Sequence, residues 1–276
     1  MTSHRIRSPL LISLTIALSG LPNLCGAAET GPSKSVRSLR NHFINSEQST
    51  NRAGYGLAAN PLGFNAVTAT WVVPSVPGTR TDTASATWTG IGGGCVDPPT
   101  CAIVDETLIQ AGTEQDSSSG VPTYSAWWEA LPAPSMPLSG GILSTQNYDV
   151  LPRDSITVII SSTAAVAWTI EIQNVRDGAT HWTFSQTVPY TAAGLTAEWI
   201  EESPLVVGSS GVDQQSLSDF DRVLFTDLTV NGAAPELTPA DEIILTNGSG
   251  KVLAQPSAPE GSGNEFAVCY GSGLCQ

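Results

Sequence analysis

Two polar residues, Gln110 and Glu198, have side chains that together could hydrolyse an amide bond. Gln110 lies in the run Thr-Leu-Ile-Gln-Ala-Gly, and Glu198 lies in the run Thr-Ala-Glu-Trp-Ile-Glu-Glu. A carboxylate can take a proton from water and later return it to a departing amine. A glutamine amide donates hydrogen bonds at any pH and can stabilise the oxyanion that forms in between. Such a pair needs neither a metal ion nor a nucleophilic side chain.

The residue pattern by itself leaves other roles open for both side chains. Glu198 alternates with apolar neighbours, so a strand could place it on the solvated face at a sheet edge, with Trp199 on the opposite face. Gln115 follows Gln110 by five positions and is its main competitor. A catalytic role therefore needs support from the wider sequence.

Two further runs supply that support. Trp88 opens the run Trp-Thr-Gly-Ile-Gly-Gly, and Tyr124 opens the run Tyr-Ser-Ala-Trp-Trp-Glu. Together with the runs around Gln110 and Glu198, they resemble the eqolisin family, the glutamic peptidases, which cut proteins at acid pH with a glutamine and a glutamate. The resemblance is clear over about residues 50 to 210 and looser beyond them.

The resemblance implies catalytic roles for Gln110 and Glu198 and a substrate cleft lined by Trp88, Trp127 and Glu129. Proteins or peptides are then the substrates, and no cofactor or metal is expected. In the tandem tryptophan pair, we expect one ring to be buried and the other to line the cleft. The fold implied is a sandwich of two long, bent antiparallel sheets, of the concanavalin or jelly-roll kind.

The implied mechanism also predicts a pH dependence. Glu198 must be partly ionised in acid, so hydrogen bonding to its charged form has to outweigh the cost of desolvation. The domain is acidic and poor in histidine, and its sequence has neither an aspartate dyad nor metal-ligand spacing, so we expect an optimum on the order of pH 2 to 4. Pepstatin and chelators should have no effect.

The chain departs from the family pattern at several positions near the predicted site. The family opening that resembles Asn-Arg-Ala-Gly-Tyr normally has tryptophan where Arg52 stands. Aspartate is common where Gly92 stands, and an acidic residue is frequent where Ser125 stands. The loop from Gly92 to Thr107 is also longer than usual. These differences bear on subsite preference, while the predicted dyad is intact.

Strand patterns recur along the chain, and helical periodicity is almost absent, which predicts an all-β fold. Apolar and polar residues alternate over 64–73, 155–161 and 168–175. The run Arg-Asp-Gly at 176–178 predicts a tight hairpin turn followed by a return strand. We interpret residues 51–276 as one β-sandwich domain.

The N-terminal residues have the pattern of a secretory signal. A basic start precedes the apolar stretch 10–21 and the small residues Gly-Ala-Ala at 26–28, so residues 1–28 are predicted to be a signal peptide. Cys25 raises lipidation as an alternative. Residues 29–50 are basic and polar, typical of a short prosegment or flexible leader. We expect a secreted protein, extracellular or periplasmic.

Four cysteines remain in the mature chain, namely Cys95, Cys101, Cys269 and Cys275. Each pair is separated by the same short interval, and export permits oxidation, so two local disulfides are the simplest pairing. The crossed connectivities stay open at this stage. A zinc site is the rival interpretation, which the absence of clustered histidines disfavours.

Charge excludes some partners. From Ala53 onward, five basic residues stand against 23 acidic ones, a net charge near −18 at neutral pH. Such a domain repels nucleic acid and anionic membranes, so neither is expected as a partner. A monomer is expected.

Three other functions compete with a peptidase. One is a lectin-like, carbohydrate-binding sandwich, and its variant is a glycosidase that uses Glu198 and Glu129 as its carboxylate pair. Another is a relative that has lost catalysis.

A serine triad would have to use His181, which follows a turn and is predicted to be an exposed strand residue.

Overall fold

The described part of the chain begins inside the predicted leader. The computed structural model describes residues 43–45, 48–59, 62–131, 140–164, 166–208, 211–273 and 275. The predicted signal peptide and most of the predicted leader therefore lie outside the described residues. Two short strands within 43–49 already pair with the sheets, so strand pairing starts before residue 51.

Strands make up nearly all of the regular structure. The first ten are β1 (Phe43–Asn45), β2 (Gln48–Ser49), β3 (Arg52–Ala58), β4 (Ala66–Val72), β5 (Thr83–Gly92), β6 (Leu108–Ser118), β7 (Val121–Leu131), β8 (Gly140–Ile142), β9 (Ser155–Ala164) and β10 (Ala167–Arg176). The others are β11 (Ala179–Pro189), β12 (Thr196–Glu202), β13 (Leu205–Gly208), β14 (Gly211–Gln214), β15 (Ser216–Leu217), β16 (Arg222–Val230), β17 (Glu242–Thr246), β18 (Val252–Pro256) and β19 (Phe266–Tyr270). In the part of the chain that the structure describes, one 3-10 turn spans Pro239–Asp241.

Two mainly antiparallel layers form a sandwich, as predicted. We call the layer ordered β8-β7-β6-β5-β12-β3-β17 the cleft sheet. The back sheet is ordered β11-β10-β9-β4-β16-β19-β18-β17. Strand β17 pairs with β3 over Glu242–Ile243 and with β18 over Leu245–Thr246, so it passes from one layer to the other.

The main hydrophobic core lies between the layers. Apolar residues at alternate positions along the strands point into it. In β4, Val67, Ala69 and Trp71 are buried, and the intervening threonines are half-buried. The indole of Trp71 crosses the interface and donates to Thr113 Oγ1 on the cleft sheet at 3.1 Å. The predicted hairpin is confirmed, with Asp177 and the following glycine both at positive φ between β10 and β11.

Strand β12 occupies the middle of the cleft sheet and is buried along its whole length. It pairs with β5 on one side and β3 on the other. Trp199 packs in the core between the layers, whereas Glu198 lies on the opposite face of the strand. An edge position for Glu198 is therefore wrong.

Both local disulfides are present. Cys95 bonds to Cys101, with 5.0 Å between their Cα atoms, and Cys269 bonds to Cys275, with 5.4 Å. The first closes the loop after β5, and the second closes the segment that follows β19. Within the described ranges, no helix has the length and apolarity required to cross a membrane.

Candidate active site

Gln110 and Glu198 face each other across one intervening strand. Gly90 on β5 is the direct cross-strand partner of Glu198 on β12 and of Gln110 on β6. Glu129 on β7 is the next partner in this row, beyond Gln110. Directly paired residues point to the same face of a sheet, and two strand spacings separate the dyad Cα atoms by about 9 to 10 Å. The long side chains can therefore converge above Gly90.

Glycine is required at the centre of the row. A Cβ on Gly90 would lie 2.8 Å from the Ile109 carbonyl oxygen and 3.0 Å from Gln110 Cβ. No side chain therefore stands between the amide and the carboxylate, and this space is where a water molecule and a peptide carbonyl could meet.

The Gln110 amide is held in a fixed orientation. Its Nε2 donates to Glu129 Oε2 at 3.2 Å, and the side chain is almost fully buried. An amide nitrogen carries two hydrogens, so one remains to donate to a substrate oxygen. Gln115 lies on the other face of β6, where it donates to Thr113 Oγ1 at 2.8 Å within the core.

Glu198 is completely buried and forms an ion pair with Arg52. Its Oε2 accepts from Arg52 Nη1 at 2.7 Å, and its Oε1 has no hydrogen-bond partner within the described part of the chain. Burial raises the pKa of Glu198 to about 7, because loss of hydration outweighs the attraction of Arg52, and the charges of Glu202 and Asp105 raise it further. The prediction that hydrogen bonding outweighs desolvation is therefore wrong.

Neighbours of the dyad form a second buried cluster on the cleft side of the sheet. Its members are Ala86, Trp88, Leu108, Trp127, Leu131, Ile200 and Ile243. Trp88 Nε1 donates to Glu202 Oε2 at 2.8 Å, and Glu202 Oε1 accepts from Asn51 Nδ2 at 2.9 Å. Trp127 lies on the same face as the dyad, and Trp128 faces the main core. All three indoles are buried in this conformation.

A cavity of about 270 Å³ opens beside Glu198. Leu57 and Ile243 supply apolar walls, Asp241 of the 3-10 turn contributes a carboxylate, and Cys95 and Pro98 bring in the disulfide loop. The added length of that loop therefore shapes the space next to the candidate base.

The backbone requires glycine at position 92, where the resemblance leads us to expect aspartate. Its φ of 89° lies in the region that glycine favours, and a Cβ there would lie 1.8 Å from the Thr107 carbonyl oxygen. The path of this longer loop therefore has no room for an aspartate side chain.

Arg52 is the site residue that the sequence analysis missed. The sequence shows an arginine within a strand of otherwise small or apolar residues, and a cation buried there needs a counter-charge. Which carboxylate supplies it depends on strand order, because Glu198 lies 146 residues away in sequence.

A metal site and a serine triad that uses His181 are the two rival chemistries, and the geometry supports them less well. Within the described residues, no group of three or more histidine, cysteine, aspartate or glutamate side chains could hold a metal. His181 lies on the back sheet, where its Nε2 is 2.9 Å from Asp149 Oδ1 in a surface network with Arg176.

Comparisons with a family model and with solved structures agree with the resemblance seen in the sequence. The family model described as the Peptidase A4 family matches residues 50–270. No curated protein matches the sequence. The chain is similar to a structure of scytalido-glutamic peptidase with a transition state analog inhibitor, at 20% identity and a TM-score of 0.62, covering 80% of this chain and 98% of that one.

Two other solved structures agree in fold. SCP-B, described as a member of the eqolisin family in a complex with the tripeptide Ala-Ile-His, matches at 20% identity and a TM-score of 0.54 over 80% of this chain and 98% of that one. Aspergilloglutamic peptidase from Aspergillus niger matches at 22% identity and a TM-score of 0.52 over 68% of this chain and 99% of that one.

Proposed function

The chain belongs to the peptidase A4 family, the eqolisins, and from this premise we propose that it is a secreted endopeptidase that uses Gln110 and Glu198 as a dyad. The observation that carries the proposal is the shared cross-strand row, with Gly90 leaving space between the two side chains. Secretion is supported by the sequence pattern of residues 1–28 and by the two disulfides.

In the proposed reaction, Glu198 acts first as a base. Its Oε1 takes a proton from a water molecule, and the oxygen of that water attacks the peptide carbonyl carbon. The Gln110 Nε2 donates a hydrogen bond to the oxyanion that results. Glu198 then gives the proton to the amine nitrogen as the carbon–nitrogen bond breaks. Glu129 contributes by fixing the rotamer and the amide orientation of Gln110.

The pH range follows from the burial of Glu198. Because its pKa is raised, the carboxylate is mainly protonated at pH 2 to 4, and the rate should rise as the pH increases from there. We therefore expect the acid limb of the rate to rise up to about pH 7, the pKa to which burial raises Glu198.

The test is hydrolysis of an acid-denatured protein by the purified mature chain between pH 2 and 8. Pepstatin and a chelator are each added in parallel, and neither should slow cleavage. Loss of activity with the chelator would contradict the dyad. Polysaccharide binding without any proteolysis would favour the lectin-like alternative.

Gln110→Ala should lower kcat by about a hundred- to a thousandfold, the usual loss when one oxyanion donor is removed. KM should change much less, because the hydrogen bond forms mainly in the transition state. Gln173→Ala, an exposed glutamine on β10, is the matched control and should behave like the wild type. A Gln110→Ala variant with normal kcat would remove the residue from the mechanism.

A further inference from the structure

The Arg52 side chain follows the cleft sheet to reach the candidate base. Its cross-strand partner is Glu202, whereas the partner of Glu198 is Gly56, four residues further along β3. The intervening residue on the same face is Gly54, which has no side chain to obstruct the arginine. This stretch of β3 therefore allows a long side chain to lie along the strand with its guanidinium at Glu198.

Three contacts fix the guanidinium. Nη1 donates to Glu198 Oε2 at 2.7 Å and to the Gly93 carbonyl oxygen at 3.2 Å. The guanidinium carbon lies 4.8 Å from the centre of the Trp88 ring, within range of a cation–π interaction. Trp88 is itself held by its hydrogen bond to Glu202. Since the arginine is only 1% exposed, its charge is both oriented and shielded from water.

Charges from several elements act on Glu198. Glu202 lies on its own strand, Asp105 in the loop after β5, Asp241 in the 3-10 turn, and Glu129 beyond Gln110. When ionised, these four carboxylates all disfavour a negative charge on Glu198, as does burial itself. Arg52 contributes a positive charge in direct contact with Glu198.

We propose that Arg52 is a positioning residue for the dyad, which favours the ionised form of Glu198 through its contact with Oε2, leaves Oε1 for the attacking water, and so sets the lowest pH at which the enzyme works. This inference rests on the proposed function. A neutral Glu198 would remove the charge that contacts the Arg52 guanidinium, so this contact favours the ionised form of Glu198.

The kinetic test compares Arg52→Met and Arg52→Gln with Arg52→Lys. In the two neutral variants, the acid limb of kcat/KM against pH should move upward by about one to three pH units, the usual influence of a contacting arginine on a carboxyl. Arg52→Lys retains the charge and should stay near the wild type. If Arg52→Met does not fold, Arg52→Gln, which can still donate to Glu198, carries the comparison.

Arg176→Met provides the matched control. Arg176 forms ion pairs with Asp149 and Asp154 on the back sheet, so its loss should reduce stability without moving the acid limb. A merely structural role for Arg52 would give this same result, with lower stability or amplitude and an unchanged limb, and would overturn the proposal.

A second readout does not depend on activity. The Glu198 carboxyl is titrated by ¹³C NMR in protein labelled at glutamate, and its resonance is identified by its disappearance in Glu198→Gln. The titration should move upward in Arg52→Met or Arg52→Gln and not in Arg176→Met. An unshifted Glu198 titration would overturn the role of Arg52 even in an active enzyme. An upward shift in a protein without proteolysis would support the role of Arg52 and contradict the proposed function instead.

Discussion

Glu198→Gln should reduce proteolysis by about a hundred- to ten-thousandfold across the whole pH range, because glutamine cannot take a proton from water. The substitution preserves the size of the side chain and, like a protonated carboxyl, carries no charge. Since burial raises the pKa of Glu198 to about 7, the wild-type carboxyl is itself mainly protonated in weak acid, so the amide should cost little stability there. We therefore expect a variant that is inactive yet about as stable as the wild type in weak acid, assayed by hydrolysis of a denatured protein and by urea unfolding.

The double variant Arg52→Met/Glu198→Gln tests whether a loss of activity comes from misfolding. It removes the buried guanidinium together with the base, so no buried charge is left at this pair, and activity should stay absent. Recovery of activity in the double variant would mean that the single variant failed through misfolding. Near-normal activity in Glu198→Gln, with unchanged circular dichroism, would make the dyad wrong and direct attention to carbohydrate binding.

The folded protein should lose stability steadily as the pH rises from about 4.5 to 8, because it retains protons that the unfolded chain releases. Glu201 is the main cause. It lies on the opposite face of β12 from Glu198, is fully buried, and accepts from Thr87 Oγ1 at 2.6 Å. Burial raises its pKa to about 8, against the lowering effect of the hydrogen bond from Thr87.

The sign follows from proton counting. Between the unfolded and the folded pKa of Glu201, unfolding releases one proton, so the unfolding equilibrium constant rises about tenfold per pH unit. Glu198, with its pKa raised to about 7, acts in the same direction over a narrower range. Both contributions are complete at pH 4.5 and lost above pH 8. Stability should therefore be greatest in acid.

Glu201→Gln isolates this effect. The amide keeps the shape and stays neutral, so most of the slope between pH 4.5 and 8 should disappear in urea unfolding curves measured at unit intervals. Glu171→Gln, on the exposed side of β10, should retain the wild-type slope. An unchanged slope in Glu201→Gln would show that Glu201 is already ionised in the folded protein.

An ion-pair network on the back sheet has the opposite pH dependence and lowers the stability of the folded protein at low pH. Asp154 is buried against Arg176 and Asn174, and their hydrogen bonds hold the pKa of its carboxyl below its usual value despite burial. This contribution is lost as the pH falls through that lowered pKa. Weak acid is thus the range in which both groups of carboxyls favour the folded state.

Local patterns in the sequence determined much of the fold, because their causes act over a few residues. Alternation of apolar and polar residues predicted β9 and β10. Asp177 and the glycine after it predicted the hairpin that joins β10 to β11. The disulfides join cysteines six positions apart, so they too depend on local geometry. Alternation also separates Glu198 from Trp199 on β12, and Gln110 from Gln115 on β6, since an odd spacing reverses the face.

Alternation does not determine which face of a strand lies in the core and which lies in the cleft, because that depends on which face the second sheet covers. Tertiary structure placed Gln115 and Glu201 between the sheets and set Gln110 opposite Glu198. It also brought Arg52 to a carboxylate far away in sequence, through the order of β3, β12 and β5. The pKa of Glu198 depends mainly on burial, which is a property of the whole fold. The sequence was therefore enough to predict the base, but only the tertiary structure determined its pKa.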